Sequence, residues 1–84
     1  MTNPKSDVID TVREICAGTL RVPLADVHPG ANLIDDLQVD SLFLVQLAIA
    51  LEERFDIQID EEEMSTVRTV QDIADHIAGK IAAA

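Results

Sequence analysis

The stretch "DSLFLVQLAIALEERF", residues 40–55, contains no glycine or proline and consists mostly of good helix formers. Asp40 can accept hydrogen bonds from the free amides at a helix start, so we predict a helix from Ser41 to about Phe55. The apolar residues of this stretch are too numerous for one face of a surface helix. We therefore expect this central helix to bury one side in a core and to leave some apolar surface for another contact.

Two further helices are predicted, one before and one after the central helix. Apolar residues recur at helical spacing from Ser6 to about Leu20, with charged residues on the opposite side. "TVQD", residues 69–72, resembles a capping box and predicts the start of a last helix. The acidic "DEEEMS", residues 60–65, predicts a short helical turn, because acidic side chains are favoured near helix N-termini.

The remaining segments are predicted to be loops. Residues 21–40 contain Pro23, Pro29 and Gly30, which interrupt the chain too often for a long helix, but spaced apolar residues should anchor this loop to the core. "FDIQID", residues 55–60, alternates like a strand, yet no second strand pattern could pair with it. We predict an all-α fold, a small four-helix bundle with three principal helices, one short helix and a long loop between helices 1 and 2.

The composition is that of one small domain. Its 84 residues are 48% apolar but only 2% aromatic, so aliphatic side chains must form the core. We expect a single domain over residues 1–84, with an ordered core at about 5–80. The N-terminus lacks an apolar signal core, and no segment has the roughly 18 continuous apolar residues of a membrane span. We expect a cytoplasmic monomer without stable membrane insertion.

The net charge narrows the range of partners. Sixteen acidic and six basic residues give a formal charge of −10, which repels phosphate backbones and anionic membranes, so nucleic acid is not an expected partner. The same charge attracts proteins with Lys/Arg patches. No Cys/His cluster predicts a metal site. Cys16 lies on the apolar stripe of the first helix and is expected to be a core residue.

Ser41, at the first turn of the central helix, has three possible roles. The simplest is a polar helix start. Nucleophilic catalysis needs a histidine base, for which His28 in the preceding loop is available, but the chain lacks a GxSxG elbow and has little length for a substrate pocket. We therefore expect no enzyme, and we expect His76 on the last helix to lie at the surface. The third role is attachment, because helix N-terminal amides would stabilise a phosphodiester on Ser41 and a deformable aliphatic bundle could admit an alkyl chain.

The chain resembles acyl carrier proteins from its first helix to its last. The strongest stretch is "DDLQVDSLFLVQLAIALEERFDIQIDEEE", residues 35–63, in which Asp40, Ser41 and Leu42 match the Asp-Ser-Leu attachment motif. "NLIDDL" before the serine and "TVQDIADHI" near the C-terminus support the match. The resemblance implies the fold described above and a protein that carries acyl groups without catalysing reactions.

The resemblance also implies a cofactor and partners. A separate, magnesium-dependent holo-carrier synthase, a phosphopantetheinyl transferase, would transfer 4′-phosphopantetheine from coenzyme A to Ser41. Acyl groups would be held as thioesters on the thiol of this arm, sheltered between the helices and delivered to enzymes of fatty-acid and lipid biosynthesis. These acyltransferases and synthases would bind through basic patches.

Three positions depart from the pattern that is common in this family. Glycine is common where Gln38 stands, so the loop is expected to be stiffer or bent differently. Acidic residues are common where Phe43 and Gln46 stand, so two charges are missing from the docking helix. Together with the broad apolar surface, these differences predict a specialised carrier that serves a dedicated acyltransferase or synthase. The candidate docking residues are Phe43, Gln46, Ile49, Glu52, Glu53, Asp60 and Glu61.

Two alternatives stay open at this point. A carrier on the same scaffold could hold an aminoacyl, peptidyl or polyketide group, which an adjacent gene for an adenylating enzyme or a modular synthase would favour. An unmodified acidic adaptor bundle that binds a basic protein partner would need no arm. The identity and length of an acyl group leave no signature in the sequence, because a deformable pocket has no fixed length.

Overall fold

The protein folds as a bundle of helices. The computed structural model describes the backbone of residues 4–83 and the side chains of residues 7–82. Within the described chain the only extended pairing is an isolated antiparallel bridge between Asn32 and Thr69. The predicted all-α bundle, with three principal helices and a short one, is confirmed. The elements are α1 (Pro4–Leu20), a 3-10 helix (Leu24–Asp26), α2 (Ser41–Phe55), α3 (Glu61–Ser65) and α4 (Val70–Ala83).

The central helix α2 begins and ends where the sequence predicts. The Asp40 carboxylate accepts a hydrogen bond from the Phe43 amide at 2.9 Å and so satisfies a free amide of the first turn. At the C-terminal end, Asp56 adopts a φ of 54°, and its amide donates to the Glu52 carbonyl. This left-handed residue ends the helix.

The last helix α4 begins with the predicted capping box. The Asp72 amide donates to the Thr69 hydroxyl at 3.1 Å, and the Thr69 amide donates to the Asp72 carboxylate at 3.2 Å. The two residues thus satisfy each other's free amides. The first helix α1 begins at Pro4, slightly before the predicted Ser6, and a proline fits there because the first helical residue needs no amide hydrogen bond.

The core lies where α1 packs against both α2 and α4, while α3 packs against α2. It is aliphatic, as the composition predicts, and it includes Cys16. Loop residues close the ends of the bundle. The largest fully buried side chains are Val12, Cys16, Val27, Leu33, Leu47, Leu51, Val70, Ile73 and Ile77.

The long loop of residues 21–40 is anchored to the bundle, as predicted. The Leu33 amide donates to the Arg68 carbonyl at 2.9 Å, and the Val70 amide donates to the Ala31 carbonyl at 3.2 Å. The Arg13 guanidinium of α1 donates to loop carbonyls, including that of Val27. These contacts fix the path of the chain into the start of α2.

Candidate functional site

Ser41 lies at an exposed helix N-terminus. It is the first residue of α2, and its side chain is open to solvent. Asp40 before it is extended and uses its carboxylate on the Phe43 amide, so the carboxylate orients the helix start. The amides and the positive dipole end of the first turn of a 15-residue helix favour a negatively charged group. A phosphodiester on the Ser41 oxygen would therefore be stabilised by its position.

A cavity of about 310 Å³ lies beside Ser41 between α2 and α3, and Ser41 is one of its lining residues. This volume is near the lower end of the range of about 300–1,000 Å³ that is typical of small-ligand sites. Most of the exposed surface inside is apolar, which suits an alkyl chain and not a charged ligand. The apolar lining residues are Leu44, Val45, Ala48, Ile49, Ile59 and Met64.

Carboxylates hold the far wall of the cavity in place. On α2, Glu52 accepts a hydrogen bond from the Ile59 amide at 3.1 Å. On α3, Glu63 lies 2.7 Å from the Lys80 ammonium and 3.2 Å from Nε2 of His76, both on α4. The hydrogen bond from Lys80 is the main cause that lowers the pKa of the Glu63 carboxyl to about 2. Glu63 is therefore ionised at neutral pH.

His76 lies at the surface, as predicted, but not as a free side chain. Its side chain is 33% exposed, and its imidazole contacts the Glu63 carboxylate. The contact spans 13 residues along the chain, so no local pattern reveals it.

The candidate docking residues divide into two groups. Gln46, Ile49, Glu53, Asp60 and Glu61 are exposed, as a docking role requires. The other two candidates turn partly inward. Phe43 packs against the hydrophobic core, and the Glu52 carboxylate is engaged with the Ile59 amide.

Sequence reasoning missed Val45, which is 45% exposed and lines the cavity. Ser41, Val45 and Ile49 follow one another at a spacing of four residues, and this spacing places side chains on one face of a helix. The signal was therefore present in the sequence. The cavity wall formed by Met64 gave no such signal, because it depends on how α3 packs against α2.

Gln38 adopts a φ of 55° in the loop before Asp40. This is the left-handed region that glycine enters freely and other residues enter at a cost. The loop therefore takes a bend that glycine favours, although glutamine occupies the position. The expectation that the loop is stiffer or bent differently from that of other family members stays a prediction.

Cys16 is a core residue, as predicted. Its side chain is completely buried, and burial raises the pKa of its thiol to about 12. A thiol of this kind is protonated at neutral pH and is a poor nucleophile.

The described residues form neither a candidate metal site nor a membrane-spanning helix. No cluster of three or more His, Cys, Asp or Glu side chains in that part of the chain is arranged to hold a metal ion. Among the helices described, none has both the length and the apolar character needed to cross a membrane.

Comparison with known proteins agrees with this geometry. The phosphopantetheine attachment site family matches residues 10–77. An acyl carrier protein from Thermosynechococcus vestitus is 42% identical over 79 residues, which are 94% of this chain and 98% of the relative. An acyl carrier protein from Syntrophobacter fumaroxidans is 46% identical over 70 residues, which are 83% of this chain and 86% of the relative.

The fold is also similar to a solved structure. A protein from Mycobacterium tuberculosis, described as an acyl carrier protein, superimposes with a TM-score of 0.78 at 30% identity. The alignment covers 86% of this chain and 96% of that chain. An exposed serine at the start of α2, beside an apolar cavity, fits the covalently attached 4′-phosphopantetheine of such proteins. The resemblance seen in the sequence is thus confirmed, and the chain belongs to the acyl carrier protein family, whose members carry acyl groups on 4′-phosphopantetheine.

Proposed function

We propose that Ser41 is the attachment residue for 4′-phosphopantetheine. The observation that carries the proposal is that Ser41 both begins α2 and lines the apolar cavity. An arm attached there has its phosphate at the positive helix end. Its acyl cargo has an apolar space within the same site. Asp40 holds the helix start, and Leu42, which is 64% exposed, is available to contact the transferase.

The attachment reaction needs only one atom of this chain. The Ser41 oxygen forms a bond to the phosphorus that carries the pantetheine, and the P–O bond of the coenzyme A pyrophosphate breaks. Adenosine 3′,5′-bisphosphate leaves with the bridging oxygen, and the hydroxyl proton passes to a base of the separate transferase. When bound, the arm supplies a thiol that holds the acyl group as a thioester. Cys16 is not needed for this, because it is buried and protonated. In this proposal the chain is a carrier and a substrate of enzymes, and not itself a catalyst.

We infer that partner enzymes dock on the exposed side of α2. The first turn of α2 holds no acidic residue, and the exposed apolar side chains of α2 near Ser41 are Leu42, Val45 and Ile49. The exposed polar side chains beside them are Gln46 and the N-cap Asp40. Acidic residues follow at the far end, at Glu53 and in the run at residues 60–63. This distribution fits partners that contact the arm end through apolar side chains and the far end through a basic patch.

The same distribution supports a specialised role in fatty-acid or lipid biosynthesis, in which one monomeric domain serves a dedicated acyltransferase or synthase. Phe43 and Gln46 stand where the family commonly has acids, so enzymes that need those charges should bind this carrier weakly. Equal turnover of this protein and a general carrier by housekeeping fatty-acid synthesis enzymes would contradict the specialised role. Mass spectrometry of the thioester recovered from native cells would identify the cargo.

The attachment site is tested by intact mass after incubation with coenzyme A and a phosphopantetheinyl transferase. Ser65→Ala is a matched control, because Ser65 is also exposed and lines the same cavity. We expect wild type and Ser65→Ala to gain one phosphopantetheinyl group and Ser41→Ala to gain none. Lack of a gain in wild type would refute the attachment, and a gain in Ser41→Ala would move it to another residue.

A further inference from the structure

The helix α3 forms one wall of the cavity but is too short to be stable alone. It has five residues, whereas isolated helices shorter than about 12–15 residues are marginal in water. Met64 and Ser65 of α3 line the cavity. The size of the cavity therefore depends on the contacts that hold α3 in place.

One ammonium group on α4 contacts both α3 and the segment before it. Lys80 Nζ lies 2.7 Å from Glu63 Oε1 and donates to the Gln58 carbonyl at 2.7 Å. The other oxygen of the Glu63 carboxylate accepts the Asp60 amide at 2.6 Å. We call the contacts of Lys80 with Glu63 and Gln58 the Lys80 latch.

A second contact, on the other side of the same segment, holds it to α2. Glu52 holds the Ile59 amide, and Ile59 is buried and lines the cavity. The segment that leads into α3 is thus fixed to α2 at residue 59 and to α4 through Gln58 and Glu63. Widening the cavity requires α3 to move relative to α2, and a movement that also carries α3 away from α4 would lengthen the contacts that Lys80 makes with Glu63 and Gln58.

We propose that the Lys80 latch sets the length of the acyl chain that the cavity accommodates. The inference rests on the proposed function, in which an acyl chain on the Ser41 arm occupies this cavity, and it assigns a specificity-determining role to Lys80 and Glu63 on the far side of α3. Met64, an unbranched and adaptable side chain that follows Glu63 in α3, is buried and lines the cavity, so in this proposal it transmits the position of α3 to the cargo.

The strength of the latch suits such a role. The Lys80 and Glu63 side chains are each 27% exposed, and partly exposed ion pairs contribute modestly to stability. Thermal motion can therefore break the contacts of the Lys80 latch when a longer acyl chain pushes against Met64. Because α3 is not locked by a large buried interface, the length limit is gradual.

Two substitutions separate the latch from the fold of α3. Lys80→Met removes the ammonium and keeps an apolar stem. Glu63→Gln removes the charge but retains an acceptor for the Asp60 amide, because glutamine also serves in a capping box. Arg68→Met is the matched control, since it removes one positive charge from an exposed side chain outside the latch. Lys80→Arg keeps a donor and a charge and should behave like wild type.

The first measurement is thioester protection. Holo protein is loaded with a series of straight-chain acyl groups, and the rate of cleavage by neutral hydroxylamine is followed for each length. In wild type, protection should rise with length and then fall once the chain exceeds the cavity. In Lys80→Met and Glu63→Gln the maximum should move to longer chains, with cleavage of the longest groups slowed about three-fold, as expected for loss of one exposed ion pair.

The second measurement uses the protein without the arm. Hydrogen exchange of the α3 amides should be about three-fold faster in Lys80→Met than in Arg68→Met, with no change in α1, because local opening reflects local contacts. Identical length profiles in Lys80→Met and Arg68→Met, or equal exchange of α3 in the two variants, would overturn the inference. Failure of wild type to be modified at Ser41 is a separate result, seen first in the intact mass. It refutes the proposed function and with it the role in chain length, while hydrogen exchange still decides whether Lys80 holds α3 in place.

Discussion

The α1–α4 half and the α2–α3 half of the bundle are made of similar aliphatic residues but are packed differently. Between α1 and α4, Cys16 and Ile77 are at most 1% exposed. Between α2 and α3 a cavity remains, and Val45 and Ile49 are 45% and 50% exposed. The interface of α2 with α3 is therefore the less completely packed of the two, although Leu47 and Leu51 of α2 belong to the same core as α1 and α4.

Helix length explains the difference. α1 and α4 have 17 and 14 residues and can cover each other's apolar stripes. α3 has only five residues, and it covers part of the apolar surface of α2. The uncovered part of α2 lies beside Ser41, the residue that we propose carries the arm.

The largest expected effect concerns the closed half and uses its single cysteine. Burial raises the pKa of the Cys16 thiol from 9.0 to about 12, so the thiolate fraction near pH 8 falls roughly 1,000-fold in the folded protein. Alkylation of unmodified protein by iodoacetamide, followed by intact mass, should be slower by about that factor in buffer than in denaturing urea.

The arm thiol of the holo protein is the control for this experiment, because it belongs to the open half and should react readily in the folded state. Equal alkylation of Cys16 in folded and unfolded protein would mean that the closed half opens freely. The same pKa shift makes the protein less stable as pH rises above 9.0, since the unfolded thiol ionises first, and this loss is complete near pH 12.

The second prediction compares two isoleucines. Ile77→Ala removes a side chain that is 1% exposed and should lower the free energy of unfolding by about 3 kcal/mol, because a cavity is left in a packed core. Ile49→Ala, in the wall of the existing cavity, should cost about 1 kcal/mol or less, since alanine is also the better helix former. Urea denaturation followed by circular dichroism measures both. Similar losses would show that the two halves are equally packed.

The third prediction concerns the start of α2. Asp40→Ala removes the acceptor of the Phe43 amide and should destabilise the protein by about 1 kcal/mol. Asp40→Asn keeps an acceptor and should be close to wild type in urea denaturation, because asparagine caps helices about as well as aspartate. If the two variants lose equal stability, the charge of Asp40 and not its hydrogen bond is what matters.

Much of the fold could be predicted from the sequence, because the residues that start and end the helices are close together in the chain. The ends of α2 follow from Asp40 and a run of helix formers, and the start of α4 follows from the capping box at residues 69–72. Ser41 was predicted from its motif, and its attachment role stays a prediction. The position of α3, which forms one wall of the cavity, could not be predicted from the sequence. One contact that fixes it is the hydrogen bond from Lys80 to the Gln58 carbonyl, and these residues are 22 positions apart. Such long-range contacts depend on how the helices pack and leave no periodic pattern.

For the side chains of α2, too, the sequence predicted the residue types but not their surroundings. The sequence identified the acidic and apolar residues of α2, but it did not determine that Phe43 packs against the core. The broad apolar surface of α2 was predicted correctly, whereas the division of its side chains between core, cavity and solvent depends on the short length of α3.

The smallest expected effect lies in the loop that leads to Ser41. Gln38 has a φ of 55°, which costs a non-glycine residue roughly 1 kcal/mol. Glycine removes this strain but loses more entropy on folding, by about 0.5–1 kcal/mol. We therefore expect Gln38→Gly to leave the free energy of unfolding unchanged or to raise it by up to about 0.5 kcal/mol.

Gln46→Gly is the matched control, because it makes the same replacement inside α2, where glycine costs about 1 kcal/mol. Urea denaturation of the two variants should therefore give results that differ by about 1 kcal/mol or more, although the chemical change is identical. If both variants are destabilised equally, the left-handed conformation at residue 38 carries no strain. The replacement by glycine would then cost as much in this loop as in α2, and the backbone conformation at residue 38 would have no influence on it.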